Sequence, residues 1–388
     1  MKSKTLKNII IILCCLYLAP VSVSGAETKP VRIGATVSLE GKYSEPSAMI
    51  QGGYKLWESQ VNKRGGLLGR PVQLILYDDK SDVKLVGQLY EKLIKEDKVD
   101  FVFSPYGTPL TLVASEVSEK HGYVMLVSGA SGEKIWERGY KNVFGMYATA
   151  DRYFIGLLDL MARNGLKSVA VLYENSSFNI DVAAGIDSWA KRFGLKVVFS
   201  KGYKSGKTDL PGLLSEARAV NPDGIMLSAY PADGYVLLHL MEEAKYRPKV
   251  VGITIAPSYP DFQKIAGNMA EGVFGPSQWE PDERIPFPGT KNFISDYKSF
   301  TDILPSYHAG SSYASCQILE KAIIQNNSFD QKKIRDFISS LDTVTVIGRF
   351  KVDHTGKQIG HNPILIQWQN GEKQIVYPTK MQTAPPKF

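Results

Sequence analysis

Short apolar runs alternate with amphipathic segments along most of the chain, which is the pattern of an α/β protein. Within Phe101–Gly132, the runs Phe101–Phe103 and Tyr123–Val127 have the composition of buried parallel strands, and Leu110–Lys120 between them has a helical pattern. Each predicted strand is followed at once by a loop of small and hydroxyl-bearing residues. In an open parallel sheet, such loops meet at the carboxyl ends of the strands, where small ligands bind.

The same alternation predicts two consecutive doubly wound lobes, because right-handed crossovers place the connecting helices on both faces of a parallel sheet. Val31–Val37 and Val72–Tyr77 are the first strands expected in the first lobe. The strands expected in the second lobe are Ser168–Leu172, Leu195–Phe199, Gly224–Leu227 and Val250–Thr254. From about Trp279 the pattern becomes mostly helical, and hairpin-like strands are expected near the carboxyl terminus.

A chain of 388 residues suits two domains, and we expect an α/β protein of two Rossmann-like lobes. Residues 27–147 and 279–347 are assigned to the first lobe, and residues 148–278 and 348–377 to the second. Residues 378–388 form a tail that Pro385 and Pro386 predict to be disordered.

The amino terminus has the three parts of a secretory signal peptide. Three lysines form a basic region, Ile9–Leu18 forms an apolar segment, and Ser24-Gly25-Ala26 forms a cleavage site. About ten apolar residues are too few to span a membrane. The sequence therefore predicts that residues 1–26 direct export and are removed near Ala26.

Charge and cysteine content narrow the possible functions. Removal of residues 1–26 takes three lysines and no acidic residue, which lowers the formal net charge from +7 by three, to +4. No run of Lys and Arg marks a nucleic-acid surface.

Cys316 is the only cysteine left after residues 1–26 are removed, so the exported protein has no internal disulfide. The Cys316 thiol is interpreted as structural.

Motifs of enzyme chemistry are missing from the sequence. Gly202–Thr208 resembles a phosphate-binding loop but is one residue too short. No dinucleotide-binding fingerprint follows the first strand, and Gly129–Gly132 lacks the spacing of a hydrolase elbow. The histidines do not pair at metal-ligand spacing, and Asp78-Asp79 is interpreted as a turn and helix cap. We therefore expect no enzyme and no cofactor.

The loops after Phe103 and Val127 are the remaining candidates. Thr108 follows Gly107 at the start of a predicted helix, where free amides and the helix dipole suit a carboxylate. If this loop is considered by itself, a role of Thr108 as a helix cap is an equally good explanation. Ser131 in the neighbouring loop favours a binding site, because both adjacent loops then offer hydroxyls and amides.

Several segments resemble the periplasmic substrate-binding proteins of branched-chain (hydrophobic) amino-acid ABC uptake systems. These are NKRGGLLGRPV at Asn62–Val72, Tyr77-Asp78-Asp79, Leu39-Glu40-Gly41 and Ile265–Gly272. The resemblance runs nearly the whole mature chain and implies a type I periplasmic-binding fold, with a hinge between the lobes. It further implies a periplasmic receptor that captures an amino acid or related small carboxylate by hinge closure, with an ABC permease of the inner membrane as its partner.

The resemblance also implies a ligand-binding site from both lobes. Its expected residues are Tyr106, Thr108, Gly129, Ala130, Ser131, Phe178, Tyr230 and Thr254. Thr108, Ser131 and the backbone of Gly129 and Ala130 would hold the carboxylate. Phe178 and Tyr230 would be the aromatic side chains that the second lobe brings onto the ligand.

One segment departs from the family pattern. Members that bind an α-amino acid hold its ammonium with an acidic residue after a second-lobe strand, and Val251–Pro257 contains none. Either another acid such as Glu45 or Glu174 replaces it, or the ligand is an aromatic or aliphatic carboxylate without an amino group. A ligand-binding sensor subunit that signals to a membrane kinase or chemoreceptor is an alternative function with the same cleft.

Overall fold

Two separate β-sheets organise the part of the chain that the structure describes. The computed structural model covers residues 29–204 and 209–388. The predicted signal segment and Ser205–Thr208 of the phosphate-loop-like stretch lie outside the described residues. Within those two ranges, no helix combines the length and apolar character needed to cross a membrane.

The first sheet has five parallel strands in the order β2-β1-β3-β4-β5. Its strands are β1 (Val31–Val37), β2 (Val72–Asp78), β3 (Phe101–Phe103), β4 (Met125–Val127) and β5 (Val143–Gly145). The helices between them are α1 (Ser44–Lys63), α2 (Val83–Lys95) and α3 (Thr108–Lys120). Asp82 caps α2 by accepting a hydrogen bond from the Lys84 amide. The order reverses between β1 and β3, as in a doubly wound sheet.

The second sheet has seven strands in the order β14-β13-β10-β9-β8-β6-β7. Strands β6 to β10 are parallel, whereas β13 and β14 are antiparallel. The remaining strands are β6 (Ser168–Glu174), β7 (Lys196–Tyr203), β8 (Gly224–Ser228), β9 (Val250–Ile253), β10 (Val273–Ser277), β11 (Asp342–Thr345), β12 (Gly348–Lys351), β13 (Ile364–Gln369) and β14 (Glu372–Tyr377). Strands β11 and β12 form a separate hairpin.

The helices in the second half of the chain either connect strands of the second sheet or belong to the part of the chain that returns to the first lobe. They are α4 (Ile155–Arg163), α5 (Ser177–Arg192), α6 (Leu210–Ala219), α7 (Pro231–Glu243), α8 (Phe262–Ala266), α9 (Thr290–Thr301), α10 (Tyr307–Asn326) and α11 (Gln331–Ser340). Helix α10 packs along α1. Trp57 Nε1 donates to Glu320 Oε2 at 2.8 Å, and Ser311 Oγ donates to the Ser128 carbonyl at 2.8 Å.

The expectation of a disordered tail is wrong, because the tail packs on the second sheet. Gln367 Nε2 donates to the Lys387 carbonyl at 2.7 Å, and Gln369 Nε2 donates to the Pro385 carbonyl at 2.8 Å. Phe388 stacks on Phe274 with ring centroids 5.7 Å apart. Amide side chains from β13 thus bond the backbone of a segment whose prolines had suggested disorder.

Three chain segments cross between the lobes, near Ala148, Gln278 and Gln358. Two buried glutamines, Gln278 and Gln358, join these segments by hydrogen bonds. Gln278 accepts from the Ala148 amide at 2.9 Å and donates to the Ala148 carbonyl at 3.3 Å. Gln358 donates to the Met146 carbonyl at 3.4 Å and accepts from the Lys351 amide at 3.1 Å. The three crossings therefore lie side by side and form the hinge between the lobes.

Candidate functional site

A small buried cavity lies between the two sheets. In each sheet the strand order reverses at one point, and the two points face each other across the cavity. In the first lobe this point lies between β1 and β3, and in the second between β6 and β8. The lining residues are Tyr106, Gly107, Thr108, Gly129, Ala130, Ser131, Tyr147, Tyr153, Phe178, Tyr230, Ile255 and Tyr307. The cavity volume is about 10 Å³, which is roughly the room for one water molecule. A larger ligand can therefore enter only when the walls move apart.

Hydrogen bonds join the loops after β3 and β4 into one rigid wall. Gly107, at φ +86°, precedes α3, and its amide donates to the Gly129 carbonyl at 2.9 Å. The Gly132 amide donates to Thr108 Oγ1 at 3.1 Å, which leaves the Thr108 hydroxyl proton free for a ligand. Within the described chain, the amides of Ala130 and Ser131 donate to no other residue. This wall can therefore offer amide and hydroxyl donors to an oxyanion.

Ser131 connects this wall to the start of the second lobe. Its side chain is buried, and its Oγ donates to the Tyr153 hydroxyl at 3.1 Å. Its carbonyl accepts from the Ala150 amide at 2.9 Å. The ring of Tyr153 in turn meets Phe178 edge-on, with centroids 5.2 Å apart. Ser131 therefore lies where a ligand would touch both lobes.

Aromatic rings from both lobes form the rest of the cavity wall. Tyr230 meets Tyr106 at 6.4 Å and Phe178 at 6.1 Å between ring centroids. Tyr43, from the loop after β1, meets Tyr230 at 4.8 Å. Because Tyr43 and Tyr106 belong to the first lobe and Phe178 and Tyr230 to the second, these contacts hold the lobes together.

Two tyrosine hydroxyls at the cavity are poorly satisfied. The hydroxyl oxygens of Tyr147 and Tyr230 are buried and form no hydrogen bond of standard geometry within the described residues, although the Tyr147 hydroxyl interacts with Ser311 and the Tyr230 hydroxyl with Tyr43. Burial raises the pKa of both phenols far above the ordinary value, so both are neutral donors. A side-chain carbon added at Gly107 would lie 3.6 Å from the Tyr230 hydroxyl, which places that hydroxyl beside the first-lobe loop. Poorly satisfied buried hydroxyls in a cavity wall favour a polar ligand.

Thr254 is the one expected site residue that the structure does not bring to the cavity. Its Oγ1 donates to the Ala229 carbonyl at 2.8 Å and accepts from the Ala229 amide at 2.9 Å. The side chain thus joins the ends of β8 and β9, and its hydroxyl proton is not available to a ligand. The next residue, Ile255, lines the cavity instead.

Ile255 has an unusual backbone conformation. Its φ of +63° and ψ of −68° form a γ-turn, closed by a 2.7 Å bond from the Ala256 amide to the Thr254 carbonyl. A positive φ is a genuine outlier for a β-branched residue. Such strain concentrates at ligand sites.

The acidic residues Glu174 and Glu45 do not line the cavity. Glu174 is buried, and its oxygens accept from Lys42 Nζ at 2.9 Å and Asn179 Nδ2 at 3.0 Å. Glu45 does not line the cavity, and burial, with a contribution from Asp261, raises its pKa to about 7. Neither of the two acids named as replacements supplies a carboxylate to the cavity wall.

Sequence reasoning missed five lining residues. Gly107 and Ile255 adjoin predicted site residues, so a wider window around each loop would have included them. Tyr147, Tyr153 and Tyr307 lie in or after the hinge crossings, and only the folded chain brings them to the cavity. Within the described residues, no cluster of His, Cys, Asp and Glu could hold a metal ion.

A family model described as "Periplasmic binding protein" matches residues 30–373, almost the whole described chain. The chain belongs to the periplasmic binding protein family. The resemblance seen in the sequence is thereby confirmed. The family consists of substrate-binding proteins of ABC transporters and not of enzymes.

Relatives and solved structures agree with this assignment. The Leu/Ile/Val-binding protein homolog 7 of Brucella suis is 22% identical, with 96% of each chain covered. LivJ of Streptococcus pneumoniae, solved with isoleucine, superposes with a TM-score of 0.80 at 18% identity, covering 90% of this chain and 100% of LivJ. A solute-binding protein of R. palustris, solved with benzoate, superposes with a TM-score of 0.77 at 16% identity, covering 92% and 97%. These structures confirm the two-lobed fold of this periplasmic binding protein.

Proposed function

We propose that this chain is the extracytoplasmic substrate-binding receptor of an ABC importer and that it captures a small carboxylate between its lobes. The observation that carries the proposal is the cavity, where seven of the eight residues expected from the sequence meet: Tyr106, Thr108, Gly129, Ala130, Ser131, Phe178 and Tyr230. Relatives of known ligand bind either an amino acid or an aromatic acid, and a carboxylate is common to both.

The first-lobe loops supply the anion-binding chemistry. Thr108 stands at the amino-terminal end of α3, where the helix dipole favours negative charge. Ala130 and Ser131 add amides that bond no other described residue. Hydrogen bonds to a carboxylate are charge-assisted and contribute about 1.5–3 kcal/mol each.

Hinge closure supplies the rest of the binding energy. The cavity is too small for a ligand to enter with the lobes in contact, so binding requires an open form that closes around the cargo. Closure would place Phe178 and Tyr230 over a ligand already held at Thr108 and Ser131. Burial of the ligand between the lobes would then give the closed outline that an inner-membrane permease recognises.

Export follows from the predicted signal peptide. We propose that residues 1–26 are removed near Ala26 and that the mature protein works in the periplasm. Amino-terminal sequencing of the protein recovered from a periplasmic extract checks this step, because a mature chain should begin at Glu27.

Calorimetric titration with small carboxylates and their matching alcohols tests carboxylate capture. We expect the acids to bind and the alcohols to fail, and Ser131→Ala or Thr108→Val to weaken acid binding at least about tenfold, or 1.4 kcal/mol. Ser118→Ala is the matched control, because Ser118 is buried in α3 and bonds only outside the cavity. Unchanged affinity in both site variants would refute the carboxylate-binding wall.

A further inference from the structure

The cavity wall carries no charge. In the described chain, its lining consists of six aromatic side chains, one isoleucine, two hydroxyl residues, two glycines and an alanine. An ammonium group buried there would therefore meet no carboxylate. Burying an unpaired ammonium is costly, and the attraction of an aromatic ring for a cation is much smaller than that cost.

Carboxylates near the cavity, those of Glu174, Asp181 and Glu45, lie outside its lining in the described chain. Both oxygens of Glu174 are occupied, one by Lys42 and the other by Asn179. Asp181 accepts from the Glu133 amide at 2.9 Å, across the lobes. Lys42 Nζ lies 4.9 Å from the ring centroid of Tyr230, so one face of this cavity-wall ring is already covered by a cation.

Ile255 is a second-lobe residue in the cavity lining. It comes two residues after the end of β9 and is 2% exposed. Its γ-turn holds an alkyl side chain at the wall, although a positive φ is unfavourable for a branched residue. An alkyl group at this point offers an ammonium neither charge nor hydrogen bond.

We propose that the substrate is a carboxylate with an apolar or aromatic tail and no charged amino group, and that Ile255 determines this selectivity. The inference rests on the proposed function, because it presumes that a carboxylate binds at Thr108 and Ser131. The carboxylate is held by the first lobe, the tail lies among the rings, and Ile255 contacts the carbon that would bear the amino group in an α-amino acid. The hydroxyls of Tyr147 and Tyr230, which form no hydrogen bond of standard geometry in the described structure, remain available to the carboxylate or to a hydroxyl on the tail.

Matched ligand pairs test the inference on the wild-type protein. Calorimetry at neutral pH compares 4-methylpentanoate with leucine and 3-phenylpropionate with phenylalanine, so that only the amino group differs within a pair. We expect the acid without the amino group to bind at least about 100-fold tighter in any pair that binds. Equal or tighter binding of the amino acids would overturn the inference and leave the proposed function intact. Failure of all four ligands and of benzoate to bind would overturn both.

A substitution at the wall tests the role of Ile255. Ile255→Asp should weaken binding of the acid without the amino group at least tenfold and shift the ratio of affinities toward the amino acid. Ile265→Asp is the matched control, because Ile265 is half exposed on α8, and it should leave the ratio unchanged. An unchanged ratio in folded Ile255→Asp would remove Ile255 from the proposal. If that variant does not fold, Ile255→Gly takes its place, since glycine adopts a positive φ without strain. It should narrow the ratio of affinities within each ligand pair, and an unchanged ratio would likewise remove Ile255 from the proposal.

Discussion

Lys42 and Glu174 form an ion pair across the cleft, with Nζ 2.9 Å from Oε1. Lys42 belongs to the loop after β1 of the first lobe, and Glu174 ends β6 of the second. Glu174 is 2% exposed, whereas the Lys42 side chain is 39% exposed. The bond can exist only while the lobes are together, so it stabilises the closed form specifically.

Replacing Lys42 by methionine should shift the protein toward the open form. In the closed form the Glu174 carboxylate would be buried with Asn179 as its sole partner, which is costly, whereas opening would hydrate it. We expect ligand affinity to fall about tenfold and the radius of gyration of the ligand-free protein to rise in small-angle X-ray scattering. Lys55→Met, an exposed position on α1, is the control. An unchanged scattering curve together with unchanged affinity would show that the ion pair does not govern closure.

Tyr230→Phe should weaken ligand binding without destabilising the protein. The buried Tyr230 hydroxyl forms no hydrogen bond of standard geometry in the described structure and interacts with Tyr43, so its removal abolishes no well-formed bond and relieves a poorly satisfied buried group. We expect affinity for the carboxylate to fall about tenfold, with an equal or higher free energy of unfolding. Tyr246→Phe removes another poorly satisfied hydroxyl far from the cavity lining and should leave affinity unchanged. Loss of stability without loss of affinity in Tyr230→Phe would contradict a ligand-binding role for this hydroxyl.

His308 should make the protein sensitive to acid. It is fully buried, with its ring stacked on Tyr307 at 3.9 Å and near Tyr106 at 5.2 Å. Burial lowers its pKa from 6.5 to about 3. The folded state therefore keeps His308 neutral, and its stabilising contribution is complete above pH 6.5 and is lost as pH falls toward 3.

Chemical denaturation of His308→Phe at several pH values measures this contribution. Between pH 6 and pH 4, wild-type stability should fall by up to about 1.4 kcal/mol per pH unit more than that of the variant. His239→Gln is the control, because His239 is exposed on α7. Parallel pH profiles for wild type and His308→Phe would exclude the buried imidazole as the cause of acid sensitivity.

The bonds of Gln278 should stabilise the hinge. Gln278→Leu keeps the volume of the side chain but leaves the Ala148 amide and carbonyl without the bonds they make in the wild type. We expect the free energy of unfolding to fall by about 1–3 kcal/mol, measured in urea. Gln88→Leu, at an exposed position of α2, should change it little. A Gln278→Leu protein as stable as wild type would mean that water replaces both bonds.

The fold was predictable because most strands have a recognisable pattern of apolar residues in their own sequence. The strands at Phe101–Phe103 and Val31–Val37 have the predicted bounds. The first is a continuous apolar run, and the second alternates apolar with polar or small residues, and both patterns are typical of strands. Strand β10 was missed, because Gly275 and Pro276 read as loop residues although β10 is central in its sheet. The order of the tail was missed for a different reason: it depends on bonds from Gln367 and Gln369 that only the folded sheet presents.

The site was predictable where residues near one another in the sequence form it, and unpredictable where distant segments contribute. Thr108 and Ser131 lie in the segments that follow two neighbouring strands of one sheet, so the sheet topology brings them together. Tyr307 reaches the cavity only because the chain returns to the first lobe after β10, before β13 and β14 complete the second sheet. Thr254 was predicted at the cavity where the structure has Ile255, because a γ-turn at an isoleucine has no sequence signature.

The three lobe crossings, tied side by side by Gln278 and Gln358, leave the protein one easy degree of freedom. Three adjacent connections resist twisting of one lobe against the other and permit bending about a single axis. Opening and closing should therefore follow one angular coordinate, whatever molecule occupies the cleft. A permease that docks on the closed outline would then respond to whether cargo is present, while the choice of cargo is made entirely inside the cleft.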